Sequence, residues 1–324
     1  MRHLITGVAG FIGSQLADAL LADGETVAGV DDFSLGRPEH LAEAHRRPSF
    51  RFVEADMAEP AAATAAFHAL CDGGAPDIVW HLAANSDISA GVADPSVDYR
   101  RTLGTTLATV EAAGAVGARA VAFTSTSAVY GERDGPLGED AGPLLPISSY
   151  GAAKLASEAV LSAAAEASLE RVWIFRLPNV VGPRATHGAL HDFVARLRER
   201  PAALKVLGDG AQTKPYLHVT ELIEAMWFVV AKATGRRNVF NIGPEDEGAP
   251  VSFLARAIVE RMAPGTPIAY GGGDRGWVGD VPRFAYSTQR LAALGWRAKL
   301  SSADAVLRAA DELTAPYRRI GKVA

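Results

Sequence analysis

The sequence predicts an α/β fold: a doubly wound parallel sheet followed by a smaller C-terminal α/β lobe. Three observations carry this. Short apolar or β-branched runs alternate with helical patterns through the first half. A glycine-rich turn joins the first strand to the first helix, and the rhythm changes after Leu177. Strands are expected at residues 3–6, 26–30, 50–54, 78–82, 120–124 and 172–177, with helices at 12–22, 61–70, 95–115 and 149–167 between them. Continuously apolar strands separated by helices imply parallel pairing with both sheet faces buried. Beyond Leu177, Pro and Gly become frequent and the strands "KVLG", "NVFNIG" and "PIAY" read as isolated. Helices follow near 220–234, 252–262, 287–294 and 302–314. The expected division is a nucleotide-binding domain over residues 1–175 and a substrate lobe over 176–324, with an interleaved boundary.

Composition narrows the function classes. The 324 residues are 48% hydrophobic, ample for a large core, and carry a formal net charge of -5. No Lys/Arg-rich block marks a nucleic-acid surface. No apolar run reaches the roughly 18 residues of a membrane span, and glycines interrupt the apolar start "MRHLITGVAGFIG". A single cysteine, Cys71, allows no internal disulfide, and the scattered histidines show no metal-ligand spacing. The expectation is a cytoplasmic protein without a metal, a membrane or a nucleic-acid partner.

"TGVAGFIG" places Gly7, Gly10 and Gly13 between the first strand and the first helix. Gly7 permits the tight turn, Gly10 allows backbone to approach a pyrophosphate, and Gly13 allows close helix–strand packing. The pyrophosphate then lies against the positive helix end beside Phe11 and Ile12, the dinucleotide site of a Rossmann arrangement. The second strand ends in "GVDDFSLG". An acid roughly 20 positions past the glycines suits ribose hydroxyls and repels a 2′-phosphate, favouring NAD over NADP. Asp31 and Asp32 are the candidates, with Ser34 and Gly36 in the same turn. Asp56, beside Met57 after the third strand, suits the adenine amine or a helix cap.

Three further segments fall at expected strand ends: "WHLAANS" (80–86), "FTSTSAVYG" (123–131) and "SYGAAK" (149–154). With "TGVAGFIG", in this order, they resemble the extended short-chain dehydrogenase/reductases, the NAD-dependent sugar-nucleotide epimerases and dehydratases, from about residue 3 to about 300. The resemblance implies that Tyr150, Lys154 and Thr126 form the catalytic group. It also places Leu82, Ala83, Ala84, Thr124 and Pro178 against NAD. Tyr150 and Lys154, at i and i+4, share one helix face. A nearby ammonium and a nicotinamide cation would lower a phenol whose ordinary pKa is near 10, so that Tyr150 serves as base and then acid. Seven Tyr and six Lys in the chain leave less than one Tyr-x-x-x-Lys pair expected by chance. His81 reads as structural.

In the second half, "FRLPNVVGPR" resembles the family segment whose Asn179 binds the substrate diphosphate or sugar. "GDGAQTKPYLHV" resembles its nucleotide-binding segment, with Lys214 where Arg is usual and Pro215 where Asp is usual. Lysine supplies a point charge without the guanidinium fork. Arg275, with Arg283 as competitor near the Gly279–Asp280 pair, is the second expected phosphate ligand. Ser86 and Ser127 are expected at the sugar. Arg101 stands where many relatives carry Asn, with no role assigned.

The resemblance implies NAD-dependent epimerisation of a nucleotide-diphosphate sugar at C4, through a transient 4-keto sugar, of the UDP-glucose or UDP-glucuronate 4-epimerase type. Decarboxylation, keto-sugar reduction and 4,6-dehydration share the same core residues. Dehydratases carry Asp-Glu after the catalytic Thr, where this chain has Ser127 and Ala128. A non-catalytic NAD-binding regulator is the alternative of another class. A homodimer through helices 95–115 and 149–167 is also implied.

Overall fold

Seven strands form one all-parallel sheet in the computed structural model, which describes residues 1–273, 275, 276, 281 and 284–318. Their spatial order is Arg237–Asn241, Arg171–Leu177, Ala120–Thr126, Ile78–His81, Arg2–Thr6, Thr26–Asp31, Phe50–Glu54. The inner strands are buried along nearly their whole length, as helices on both faces require. The winding reverses between Arg2–Thr6 and Ile78–His81, so a crevice opens beyond the carboxyl ends of these two neighbours.

The expected strands and helices of the first half are present, with ends shifted by a residue or two. The expectation of isolated strands is overturned. "KVLG" and "PIAY" meet each other, Leu204–Val206 pairing in parallel with Ile268–Tyr270. "NVFNIG" is no isolated strand of the second lobe: Arg237–Asn241 pairs in parallel with Arg171–Leu177 and forms one edge of the central sheet. Its alternating burial fits an edge position that sequence separation conceals. Helix Ala189–Glu199, absent from the sequence reading, buries Leu190, Phe193, Val194 and Leu197. With Val251–Met262 and Ser302–Arg318 it encloses the separate apolar core of the second half. No helix among the described residues is long and apolar enough to cross a membrane.

Two local features position the site. Ser148 caps helix Ser149–Ala167, its hydroxyl accepting from Gly151 N at 3.1 Å, which sets where Tyr150 enters the first turn. The segment expected as helix 95–115 is Pro95–Asp98, a π-helical turn at Tyr99–Gly104, and Thr105–Ala115. A π turn re-aims the side chains it carries and recurs at functional sites.

Candidate active site

A cavity of about 740 Å³ occupies the crevice and continues beneath the second lobe. Every residue the sequence nominated for catalysis, cofactor or substrate lines it, except Arg275.

Tyr150, Thr126 and Lys154 converge on its wall. Thr126 ends its strand, accepts from Ala128 N at 3.2 Å, and hydrogen-bonds the Tyr150 phenol. Tyr150 is half-buried and lines the cavity. Lys154, one turn on, is 3% exposed; its Nζ donates to Thr124 O at 2.7 Å and lies 4.6 Å from the Phe123 ring centroid.

The protonation pattern differs from the sequence expectation. Burial pushes the Tyr150 phenol up to about 12, with the Thr126 hydrogen bond opposing and Asp98 adding to the rise. Burial also pulls Lys154 down to about 7, against the fields of Glu158 and Asp98. In this dry wall desolvation outweighs the attraction between the pair. A testable consequence follows for the NAD-free protein. Between pH 7 and about 10 the unfolded chain holds a proton on Lys154 that the folded chain lacks, so this group makes stability rise with pH. Below pH 7 both states are protonated and the contribution is flat. Denaturant melts across this range should show the rise in the native protein and its loss in Lys154→Met; parallel curves would refute it.

The glycine turn forms a cradle that fits a dinucleotide. Gly7 has φ +73°, and a Cβ on it would lie 2.8 Å from Ala83 N, across the reversal point of the sheet. A Cβ on Gly13 would overlap Gly7 O, so helix Phe11–Ala22 packs on the turn only with glycine there. Gly10 caps that helix without a side-chain bond, leaving its first amides for an anion. Asp31 Oδ2 accepts from Ala9 N and Oδ1 from Phe33 N, both at 2.8 Å, tying the glycine turn to the second strand. Burial holds the Asp31 carboxyl above its ordinary value despite these bonds. Asp56 accepts from Ala58 N at 2.8 Å in a turn ahead of helix Pro60–Leu70, whose N-cap is Glu59, and it also lines the cavity.

His81 is structural, as read from the sequence. It is fully buried, Nδ1 2.9 Å from Thr6 Oγ1 and Nε2 2.9 Å from Thr106 Oγ1. Burial, then Lys154, pulls it down to about 3, so the ring is neutral.

Pro178, Asn179 and Lys214 line the cavity together with Ser86 and Ser127. Strand Asn179–Val181 pairs with Tyr216–His218, and Thr213–Lys214 with Ala249–Pro250. Arg275 lies off the lining, its guanidinium 2.9 Å from the Glu132 carboxylate. A nearby opposite charge on a loop decides its direction, which no motif reveals. Gly279, Asp280 and Arg283 lie outside the described residues.

Several residues on the wall or behind it were given no role by the sequence reading. Asn85 donates to Asp98 Oδ1 at 2.8 Å, and Ser149 Oγ donates to Asp98 Oδ2 at 2.7 Å. The buried Asp98 thereby joins the "HLAANS" loop to the residue preceding Tyr150. Arg101, His187, His191, Arg196 and Gln212 also line the cavity. Their approach depends on chain crossings far apart in sequence; only Gln212 lay within a noted motif.

A glycine cradle at the sheet's reversal point, acids at the second strand end and a Tyr–Thr–Lys group on the cavity wall define a dinucleotide-dependent enzyme of the doubly wound class. Comparison with known proteins agrees. Residues 3–243 match the NAD dependent epimerase/dehydratase family. A "UDP-glucose 4-epimerase" of Mycolicibacterium smegmatis is 32% identical over 317 residues, covering 96% of this chain and 98% of the relative. A solved UDP-galactose 4-epimerase superposes with a TM-score of 0.84 at 33% identity, covering 98% and 99% of the two chains. The UDP-glucose 4-epimerase of Thermus thermophilus, solved as a complex with NAD, has a TM-score of 0.83 at 28% identity and covers 97% of this chain and 99% of its own. The chain belongs to the NAD-dependent epimerase/dehydratase family, and NAD is its cofactor.

Proposed function

We propose that the chain interconverts the C4 epimers of a UDP-linked sugar. The carrying observation is the Tyr150 hydroxyl hydrogen-bonded to Thr126 on the cavity wall, with Lys154 one helical turn behind. The name of the Mycolicibacterium relative supports the reaction type. Bound NAD supplies acceptance of a hydride from the sugar carbon and its return. Tyr150 takes the proton of the C4 hydroxyl that Thr126 orients, and gives it back to the oxygen of the turned sugar. A phenol near 12 is a poor base at neutral pH; a nicotinamide cation close by, and Lys154 when it holds its proton, would lower it. Asn179 and Lys214 hold the diphosphate, leaving the sugar free to present either face. Ser127 and Ala128, where dehydratases carry acids, offer no carboxylate to expel a hydroxyl.

This reading keeps residues 1–175 for NAD and 176–324 for the substrate, with a boundary interleaved by edge strand Arg237–Asn241 of the central sheet, in a cytoplasmic homodimer. Tyr99 and Leu107, 49% and 51% exposed on the Pro95–Ala115 segment, are suited to meet a second copy. The test is conversion of UDP-glucose to UDP-galactose by purified protein without added NADH. Conversion is expected, from a species of twice the chain mass by light scattering. No conversion of any UDP-hexose or UDP-uronate in a panel would overturn the reaction; a monomer would overturn the dimer.

A further inference from the structure

Arg101 was singled out in the sequence without a role, and its placement supplies one. It sits in the π turn Tyr99–Gly104 of the segment that follows strand Ile78–His81. Its Nη1 lies 3.0 Å from Asp32 Oδ2. Asp32 follows strand Thr26–Asp31, on the other side of the sheet's reversal point. The two strands flank Arg2–Thr6, from whose end the glycine turn rises. The ion pair therefore joins the two banks of the cleft that receives the dinucleotide pyrophosphate, and both partners line that cavity.

Local structure aims each partner. Asp32 Oδ1 accepts from Ser34 N at 2.9 Å and Ser34 Oγ at 2.5 Å, leaving Oδ2 turned to Arg101. Burial opposes ionisation here, yet the Ser34 bonds and Arg101 together hold the carboxyl below its ordinary value. On the other bank, Thr105 Oγ1 lies within hydrogen-bond distance of three carbonyl oxygens, Thr102 O at 2.9 Å, Arg101 O at 3.1 Å and Ala83 O at 3.2 Å, and Thr102 Oγ1 accepts from Asn85 N at 3.2 Å. The π turn is thus anchored to the same loop that lines the cofactor. The side chains are 28% and 25% exposed, so the pair is open enough to separate and dry enough to resist it.

We propose that Arg101 and Asp32 form a clasp across the cleft that would hold NAD, and that opening this clasp gates cofactor release. An enzyme that returns its hydride to the same sugar has no need to exchange cofactor between turnovers, and a clasp suits that economy. The gating role rests on the epimerase reading only for this last point; the ion pair across the cleft stands without it.

The test uses the full-length holoenzyme as purified. NAD release is followed by exchange against labelled NAD, and retained nucleotide is measured after gel filtration. Arg101→Met should raise the release rate about tenfold or more, and lower the nucleotide retained. Wild-type release should quicken from low salt to about 0.5 M salt, and that dependence should be lost in Arg101→Met, since salt screens the pair. Arg101→Lys, keeping charge without the planar fork, should fall between the two. Release from Arg101→Met at the wild-type rate with unchanged salt response would overturn the proposal. Should that variant fail to fold, Arg101→Gln decides it by the same two readouts. Both readouts follow the cofactor alone, so a failure of the epimerase reading leaves them intact.

Discussion

Tyr150→Phe should lower kcat by roughly 10²–10⁴-fold while leaving NAD and the nucleotide sugar bound with near-native affinity. The substitution deletes one oxygen and retains the ring that walls the cavity. The phenol, pushed up to about 12 by burial, is uncharged at neutral pH, so the substitution removes no buried charge. Stability should therefore be close to unchanged. A loss confined to kcat marks an interaction made in the transition state. The measurement is steady-state conversion of UDP-glucose alongside NAD and UDP-sugar affinities by titration calorimetry. Turnover within a fewfold of wild type would remove Tyr150 from the chemistry; an equal collapse in binding would make it a structural residue.

Glu158→Ala should be the most destabilising single change near the site, by about 3–5 kcal/mol. Glu158 lies one turn beyond Lys154 and is buried, its Oε1 accepting from Arg176 Nε at 3.0 Å and its Oε2 from Arg176 Nη2 at 2.7 Å. Ser125 Oγ also donates to Oε1, at 2.5 Å. Arg176 Nη1 continues to the Tyr130 hydroxyl at 3.0 Å, and that hydroxyl donates to Asn241 Oδ1 at 2.7 Å. Removing the carboxylate strands a buried guanidinium that burial already disfavours. It also removes the leading field that opposes burial in keeping Lys154 charged. Guanidinium chloride unfolding should show the loss, and Glu158→Leu with Arg176→Met should recover most of it, since an apolar pair leaves no stranded charge. A single-variant loss under about 1 kcal/mol, the range of an exposed pair, would show the bridge to be dispensable.

The Glu158 bridge illustrates where sequence reading stops. Tyr150 and Lys154 were legible because both lie on one helix, four residues apart, where backbone geometry alone dictates a shared face. The same geometry places Glu158 on that face, yet nothing local says that Arg176, on a strand, meets it. The glycine turn was legible for a related reason. Only glycine tolerates the φ of Gly7 and the approach of Gly13 to Gly7 O, so the conformation is written in residue type.

What the sequence by itself determined is therefore local: the strand–turn–helix that fits a dinucleotide, the helix face that Tyr150 and Lys154 share, and the alternation that imposes a doubly wound sheet. Each rests on steric or periodic constraints spanning a few residues. Tertiary structure alone decided the rest. It set Arg237–Asn241 at the sheet edge, turned Arg275 to Glu132, joined Arg101 to Asp32 across the cleft, and raised the Tyr150 phenol. These outcomes depend on which distant charges meet and how much water is excluded, and both are properties of the assembled interior.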